Sequence, residues 1–189
     1  MTDTREGLDP IFSPRSVAVI GASRRRDSIG FALLHNLVME EFEGAIYPVN
    51  PKADSIHSLK AYPTIGAIPD PVDLAMVAVP RDAVLPVVDE CLAAGVRGMV
   101  VVTAGFSETG EEGAAIEREL LEKVRAAGVR MVGPNCMGVL NTDPEIRLNA
   151  TFAPTPASAG SIGFVSQSLS LIHISEPTRP PLLSRMPSS

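Results

Sequence analysis

A short loop after the first apolar segment has the composition of a phosphate-binding turn. Gly21, Ala22 and Ser23 directly follow Ser16–Ile20, and a helical pattern starts near Gly30. Backbone N–H groups and the positive end of a helix dipole then meet at one point, which suits a phosphate or a pyrophosphate. The loop departs from the Gly-x-Gly-x-x-Gly pattern, because a serine stands at the second glycine position and the stretch before the last glycine is longer.

Basic residues near this loop favour a ligand that carries an additional phosphate. Arg24 opens a run of arginines at 24–26, and the second apolar segment ends in Asn50, Pro51 and Lys52. A site for NAD would place a carboxylate there to bind the ribose hydroxyls, whereas lysine and arginine bind phosphate. NADP, with its 2′-phosphate, and coenzyme A (CoA), with its 3′-phosphate, both fit this pattern.

Alternating strands and helices must position these residues. We predict strands at 16–20, 45–49, 74–79, 99–103 and 129–132, with helices at about 29–41, 82–95 and 111–127. The strands are nearly all apolar, as in parallel sheets that are covered on both faces. The predicted fold is α/β, a Rossmann-like doubly wound parallel sheet. A short strand pair is also predicted over 147–152.

The ligand of an open parallel sheet binds beyond the carboxyl ends of the strands. At those ends lie Pro80 after the third predicted strand, Thr103, Ala104 and Gly105 around the end of the fourth, and Asn135 after the fifth. Turn formers also occur there for structural reasons alone. The pattern therefore locates the edge without identifying its ligand.

Composition excludes several classes of protein. The 189 residues carry a net charge of −6, which argues against a nucleic-acid binder that relies on positive charge. No apolar run reaches the roughly 18 residues of a membrane span, and the first ten residues lack the apolar core of a secretory signal. We therefore expect a cytoplasmic protein with neither nucleic acid nor membrane as its partner.

Candidates for catalysis and metal binding are few. His35 lies in a predicted helix, His57 in a loop and His173 near the end of the chain, and none is at a strand end. We interpret Cys136 as a structural thiol and Cys91 as a core residue, and their separation does not match a metal site. No catalytic residue and no metal are predicted.

Five segments together resemble one family. They are SVAVIGAS at 16–23, YPVNPK at 47–52, DLAMVAVP at 73–80, VVVTAGF at 100–106 and GPNCMGVLN at 133–141. In order and spacing they resemble the N-terminal CoA-binding domain of NDP-forming acyl-CoA synthetases, relatives of the succinyl-CoA synthetase α subunit. The resemblance covers about residues 8–168. It implies an acid–CoA ligase that converts a carboxylate, CoA and ATP into acyl-CoA, ADP and phosphate through a phosphohistidine.

The resemblance also implies roles for residues of this chain. It implies that Gly21, Ala22, Ser23 and Arg24 hold the CoA phosphates and that Lys52 contacts the nucleotide end. It further implies that Pro80 lines the cleft, that residues 103–105 border the pantetheine and that Asn135 lies near the thiol. The phosphohistidine and the ATP-grasp region, with ATP, ADP and magnesium, belong to other domains of the family. Those domains and a small carboxylic acid are the implied partners, and the fragment by itself should be inactive.

The predicted domain organisation has four parts. Residues 1–152 form the CoA-binding domain, 153–159 a linker and 160–168 the first strand of a truncated second α/β domain. We interpret residues 169–189 as a non-native tail, because prolines break the expected helix and residues 169–179 resemble a translated sequencing adapter. A read of the genomic locus through codon 169 into the same tail would contradict that hypothesis.

Three alternatives remain open from the sequence. The chain could be a stand-alone regulatory CoA-binding module, or a piece of a synthetase-like protein fused to an acetyltransferase. An NADP-linked dehydrogenase is disfavoured by the first loop and by the lack of a hydride-transfer site. The sequence does not identify which acid is activated.

Overall fold

The structure, a computed structural model, describes residues 7–155 and 158–160. By their contacts, the residues divide into a unit that ends at Ala159 and a unit that begins at Gly160. Apart from Gly160, the predicted start of a second domain at 160–168 and the tail at 169–189, with His173, lie outside the described residues.

Five parallel strands form the main sheet and confirm the predicted Rossmann-like, doubly wound class. They are β1 (Ser16–Ile20), β2 (Ala45–Val49), β5 (Leu74–Val77), β6 (Gly98–Val101) and β7 (Arg130–Val132). Their order is β2-β1-β5-β6-β7. The chain adds β2 on one side of β1 and the later strands on the other side, so the strand order reverses between β1 and β5. A reversal of this kind opens a crevice at the carboxyl ends of the two strands.

The strand register brings the carboxyl ends to one level. Ile20 pairs with Val49 on one side and with Val77 on the other, and Val77 pairs with Val101. The residues that follow these strands therefore lie along one edge of the sheet, as predicted.

Helices cover both faces of the sheet. They are α1 (Asp9–Phe12), α2 (Ile29–Met39), α3 (Val84–Ala93) and α4 (Glu111–Ala126). One buried cluster packs α2 against the sheet through Leu33, Leu34 and Leu37. The other packs α3 and α4 on the opposite face through Val88, Cys91 and other apolar side chains.

Cys91 is fully buried, as predicted, and burial raises its pKa to about 12. No helix among the described residues is long and apolar enough to cross a membrane.

Two predicted strands are too long. The apolar runs 74–79 and 99–103 continue past the paired segments, which end at Val77 and Val101. Beyond these points the edge residues turn into loops, and apolar composition alone does not show where pairing stops. The second predicted helix, at 82–95, also begins later, at Val84, because residues 81–83 form a separate 3-10 turn.

Two small hairpins complete the described part. The first joins β3 (Ser55–Ile56) to β4 (Leu59–Lys60), where the sequence predicted only a loop. The second joins β8 (Gly138–Asn141) to β9 (Leu148–Thr151), so the strand pair predicted over 147–152 is one strand paired with an earlier one.

Candidate functional site

The first loop is shaped by two glycines in close contact. Gly21 follows β1 and has a φ of +89°, which residues with a side chain rarely adopt. Gly30, the second residue of α2, packs directly on this turn: a Cβ there would overlap the carbonyl oxygen of Gly21 and lie 3.2 Å from the Ala22 Cα. Glycine at position 30 therefore lets the start of α2 approach the loop.

Several backbone N–H groups of this loop are available to a ligand, among them those of Ser23 and Arg24. The N–H of Gly21 donates to Val49 O at 3.1 Å and that of Ala22 to Val19 O at 3.4 Å. Among the described residues, the N–H groups of Ser23 and Arg24 donate no hydrogen bond. These two groups stand beside the amino terminus of α2, whose cap is the Ser28 hydroxyl. The arrangement can accept a phosphate oxygen.

The loop after β2 is tied to the loop after β1. The Asn50 side-chain amide donates to Ala22 O at 2.7 Å, and the Asn50 Oδ1 accepts from the Lys52 N–H at 2.8 Å. The structure therefore brings Ala22, Asn50 and Lys52 together, with the exposed Pro51 between the last two. The Lys52 ammonium has no hydrogen bond or ion pair with any described residue, so it remains a free cation at this edge.

The three arginines of the first loop differ in their surroundings. Arg24 donates from Nε to Ser55 O at 2.9 Å, which joins the loop to the β3–β4 hairpin. Arg25 pairs with Asp27 at 2.9 Å. Arg26 is exposed and forms no polar contact with the described residues. The sequence favoured an additional phosphate near all three, and the resemblance assigned only Arg24 to the CoA phosphates. Of the three guanidinium groups, only that of Arg26 has no polar contact with the described residues.

A second group of predicted site residues follows β5, β6 and β7, and its members lie next to one another. The Thr103 hydroxyl donates to Val79 O at 2.7 Å, next to the exposed Pro80. The Asn135 N–H donates to Thr103 O at 3.0 Å, and Asn135 has a φ of +54°. These contacts place Pro80, Thr103 and Asn135 side by side.

The Glu108 carboxylate binds the backbone of the loop after β6. The sequence analysis did not predict this residue as part of the site. Its carboxylate accepts from the N–H groups of Gly105 at 2.6 Å and Phe106 at 3.1 Å. These hydrogen bonds, that of Gly105 first, lower the pKa of Glu108. Gly105 has a φ of +106°, and Ala104 before it is exposed. The signal in the sequence is a lone acidic residue three positions after a glycine, which is too common to single out.

The thiol of Cys136 is not activated by its surroundings. Cys136 lies half-buried behind Asn135, with its Sγ 3.4 Å from Val101 O, and burial raises its pKa. A protonated thiol is a poor nucleophile, which favours the structural interpretation. Within the part of the chain that the structure describes, no three His, Cys, Asp or Glu side chains form a metal-binding group.

A cleft on another part of the surface carries negative charge, which does not suit a phosphate ligand. It has a volume of about 550 Å³ and lies between residues 64–72 and the end of α3, with Asp70 and Glu90 in its wall. Carboxylates and the negative end of a helix repel phosphate. The carboxyl edge of the sheet is therefore the better candidate.

Comparison with known proteins finds a matching family model and several relatives. The model of the CoA binding domain family matches residues 15–142. An ADP-forming acetate–CoA ligase of Archaeoglobus fulgidus is 49% identical over 161 residues, which are 85% of this chain and 24% of the ligase. An ADP-forming 4-hydroxybutyrate–CoA ligase of Nitrosopumilus maritimus is 39% identical over 89% of this chain and 23% of its own length.

Solved structures agree with these matches. The apo form of a "dinucleotide forming Acetyl-coenzyme A synthetase 1" from Ca. Korarchaeum cryptofilum superposes with a TM-score of 0.79 and 41% identity, over 88% of this chain and 36% of that one. The chain thus spans only about a quarter to a third of these relatives and matches their CoA-binding region. With a family model that matches most of its residues, the chain belongs to the CoA binding domain family.

Proposed function

We propose that this chain binds CoA at the carboxyl edge of its parallel sheet. The observation that carries the proposal is the pair of N–H groups on Ser23 and Arg24, which have no partner among the described residues and stand beside the start of α2. They suit the CoA pyrophosphate. Gly21, Ala22 and Gly30 shape this loop, and Asn50 and Pro51 hold Lys52 beside it. Lys52 then contacts the nucleotide end of the ligand.

The pantetheine arm of CoA would run along the ends of the next strands. Pro80, Thr103 and Asn135 lie side by side there, with Ala104 and Gly105 in the same loop as Thr103. These residues offer small side chains and a polar rim, which suit a narrow chain with two amides. Asn135 would lie nearest the thiol.

In the whole protein, we propose, this region serves an ADP-forming acid–CoA ligase. Such an enzyme joins a small carboxylic acid to CoA and splits ATP into ADP and phosphate. The relatives named above act on acetate and on 4-hydroxybutyrate, which supports a small acid as the substrate. Residues 7–155 would supply CoA binding and no catalytic group. The phosphohistidine, ATP and magnesium would then belong to other regions of the ligase, in the same chain or in a second subunit.

The domain organisation follows the same proposal. Residues 1–152 would form the CoA-binding domain and 153–159 a linker, with a second domain opening at 160–168. The tail at 169–189 would be foreign to the protein. A genomic read through codon 169 tests that last point directly.

Replacement of Lys52 tests the assigned nucleotide end. Lys52→Ala should weaken CoA binding about tenfold or more, because a charge-assisted phosphate contact contributes about 1.5–3 kcal/mol. Calorimetric titration of the purified chain with CoA measures this change. Lys60→Ala removes the same charge from a side chain that lies over Tyr62 instead, so CoA should bind this control as it binds the wild type. Equal affinities for Lys52→Ala and the wild type would contradict the assigned role of Lys52.

A further inference from the structure

Three rings join the β3–β4 hairpin to α2. Phe31 and His35 lie one turn apart on α2, and His57 lies in the loop of the hairpin. Between ring centroids, Phe31 is 5.4 Å from His35 and 5.0 Å from His57, and the two imidazoles are 5.2 Å apart. The hairpin therefore packs against α2 through a pair of titratable side chains, and neither of them belongs to the proposed CoA site.

Each imidazole has one nitrogen that is shielded from water. The Nδ1 of His35 and the Nε2 of His57 are buried, and neither has a hydrogen-bond partner among the described residues. A neutral imidazole carries its proton on one nitrogen only, so the buried nitrogen of each ring can be the unprotonated one. An imidazolium carries a proton on both nitrogens, and a buried charged N–H without a partner is strongly unfavourable. This packing therefore accommodates the two rings only in their neutral forms.

The charges around His57 also oppose the uptake of a proton. The first loop, α2 and the hairpin enclose a cleft of about 370 Å³, and the guanidinium groups of Arg24 and Arg26 belong to its wall. Among the described residues that line this cleft there is no carboxylate. From α2, the titratable group that faces His57 is His35. Burial, then His35 and Arg26, lower the pKa of His57 and keep its ring neutral at pH 7.

The turn that carries His57 is strained. His57 and Ser58 both have positive φ angles, 51° and 63°, in a two-residue hairpin loop. Such loops favour Asn-Gly, because other residues meet a steric penalty in the left-handed conformation. A strained turn persists only while its surroundings hold it in place. The packing of the His57 ring against α2 is one of the contacts that hold this turn.

We propose that this contact is a pH-sensitive switch: the turn at His57 packs against Phe31 and His35 while both imidazoles are neutral, and it moves away from α2 when either ring takes up a proton. The movement brings the buried ring nitrogen into water, which can accept its hydrogen bond. Ile56, directly before the turn, is buried in the core and anchors the hairpin, so the movement is local. In mild acid the turn then leaves the start of α2 uncovered beside the first loop. The switch needs no ligand and is independent of the proposed CoA binding.

The switch makes the stability of the chain depend on pH in mild acid. Because folding lowers the pKa of His57, the unfolded chain takes up this proton at a higher pH than the folded chain does. The proton therefore leaves stability unchanged well above the unfolded pKa of about 6.5 and reduces it as the pH falls below that value. Between about pH 7.5 and about pH 5.5, the Tm of the wild type should decrease by about 2–4 °C.

Removal of both rings should abolish this decrease. His35→Gln combined with His57→Asn leaves no imidazole in the cluster, since glutamine suits a helix and asparagine tolerates a positive φ. The Tm of this double variant should fall by less than about 1 °C between the two pH values. His173→Asn removes the remaining histidine of the chain and is the matched control, so its Tm should decrease as that of the wild type does. An equal decrease in the double variant and the wild type would refute the switch.

Hydrogen exchange of the wild-type chain locates the change without any substitution. Between the same two pH values, the protection factors of the amides at 55–60 should fall about fivefold relative to those of the α4 amides. An unchanged ratio of the two would contradict the switch even if the Tm decreases, because the proton would then act elsewhere in the chain.

Discussion

Gly30 controls how closely α2 approaches the first loop. A methyl group at this position would overlap the Gly21 carbonyl oxygen, which belongs to the backbone and cannot rotate away. The N–H groups of Ser23 and Arg24 owe their position to that approach. A change of one carbon at Gly30 therefore tests the geometry of the whole loop.

Gly30→Ala should lower both stability and CoA affinity. The overlap should reduce the free energy of unfolding by about 1–3 kcal/mol, as in other overpacked sites. Urea unfolding measures the stability, and calorimetry measures the affinity of the folded fraction. Gly66→Ala is the matched control, since a Cβ at Gly66 meets nothing within 4 Å. A Gly30→Ala protein with wild-type CoA affinity would mean that the loop does not hold the phosphates.

The sequence predicted the residues of this loop but not their separate roles. The glycines, Ser23 and Asn50 stand out by type and by position after apolar strands. Which N–H groups are free depends on pairing with Val19 and Val49, and that pairing is a property of the folded sheet. In the same way, Arg24 and Arg25 are engaged by Ser55 and Asp27, and Arg26 is not.

The loop that joins β6 to α4 depends on two carboxylates. Glu108 accepts from Gly105 and Phe106, and Glu117 of α4 accepts from the Ser107 N–H at 3.0 Å. Three successive N–H groups are thus held by side chains rather than by backbone. The loop should keep its shape only while Glu108 is ionised.

Glu108→Gln should reduce Tm near neutral pH and have a smaller effect in acid. Because folding lowers the pKa of Glu108, its contribution to stability is complete above the unfolded value of about 4.3 and is lost as the pH falls through the lower folded value. Thermal unfolding at about pH 7 and about pH 3 measures the difference between wild type and variant. Glu122→Gln, an exposed residue of α4, is the control, and its small effect on Tm should be similar at both pH values. A Glu108→Gln effect of the same size at both pH values would argue against this role.

Long elements could be predicted from the sequence, and short ones could not. The five parallel strands and three long helices follow from apolar runs and helical periodicity. The β3–β4 hairpin has two residues in each strand, too few to show an alternating pattern. The hairpin nevertheless accepts a hydrogen bond from Arg24 through Ser55, and this contact beside the first loop could not be predicted from the sequence.

Within the described residues, the two edges of the sheet differ in how their polar groups are paired. At the amino edge the buried Asp73 carboxylate accepts from the Arg15 N–H at 2.9 Å and from Arg97 at 3.0 Å. At the carboxyl edge lie the loops after β1, β2, β5, β6 and β7, with backbone groups and cations that have no partner in the described chain. The register of the strands predicts this division, because parallel strands bring all their carboxyl ends together.

The carboxyl edge of the sheet should bind CoA rather than a dinucleotide. The most direct test is a calorimetric titration of the unmodified chain with CoA, with NADPH and NADH titrated in parallel. We expect saturable binding of CoA and no binding of the two dinucleotides. The end of β2 offers Lys52 and no carboxylate to the ribose of NADH, and the first loop, with Ser23 at the second glycine position, disfavours NADPH. Binding of NADPH with no response to CoA would contradict CoA binding at this edge and would place the chain among NADP-dependent proteins.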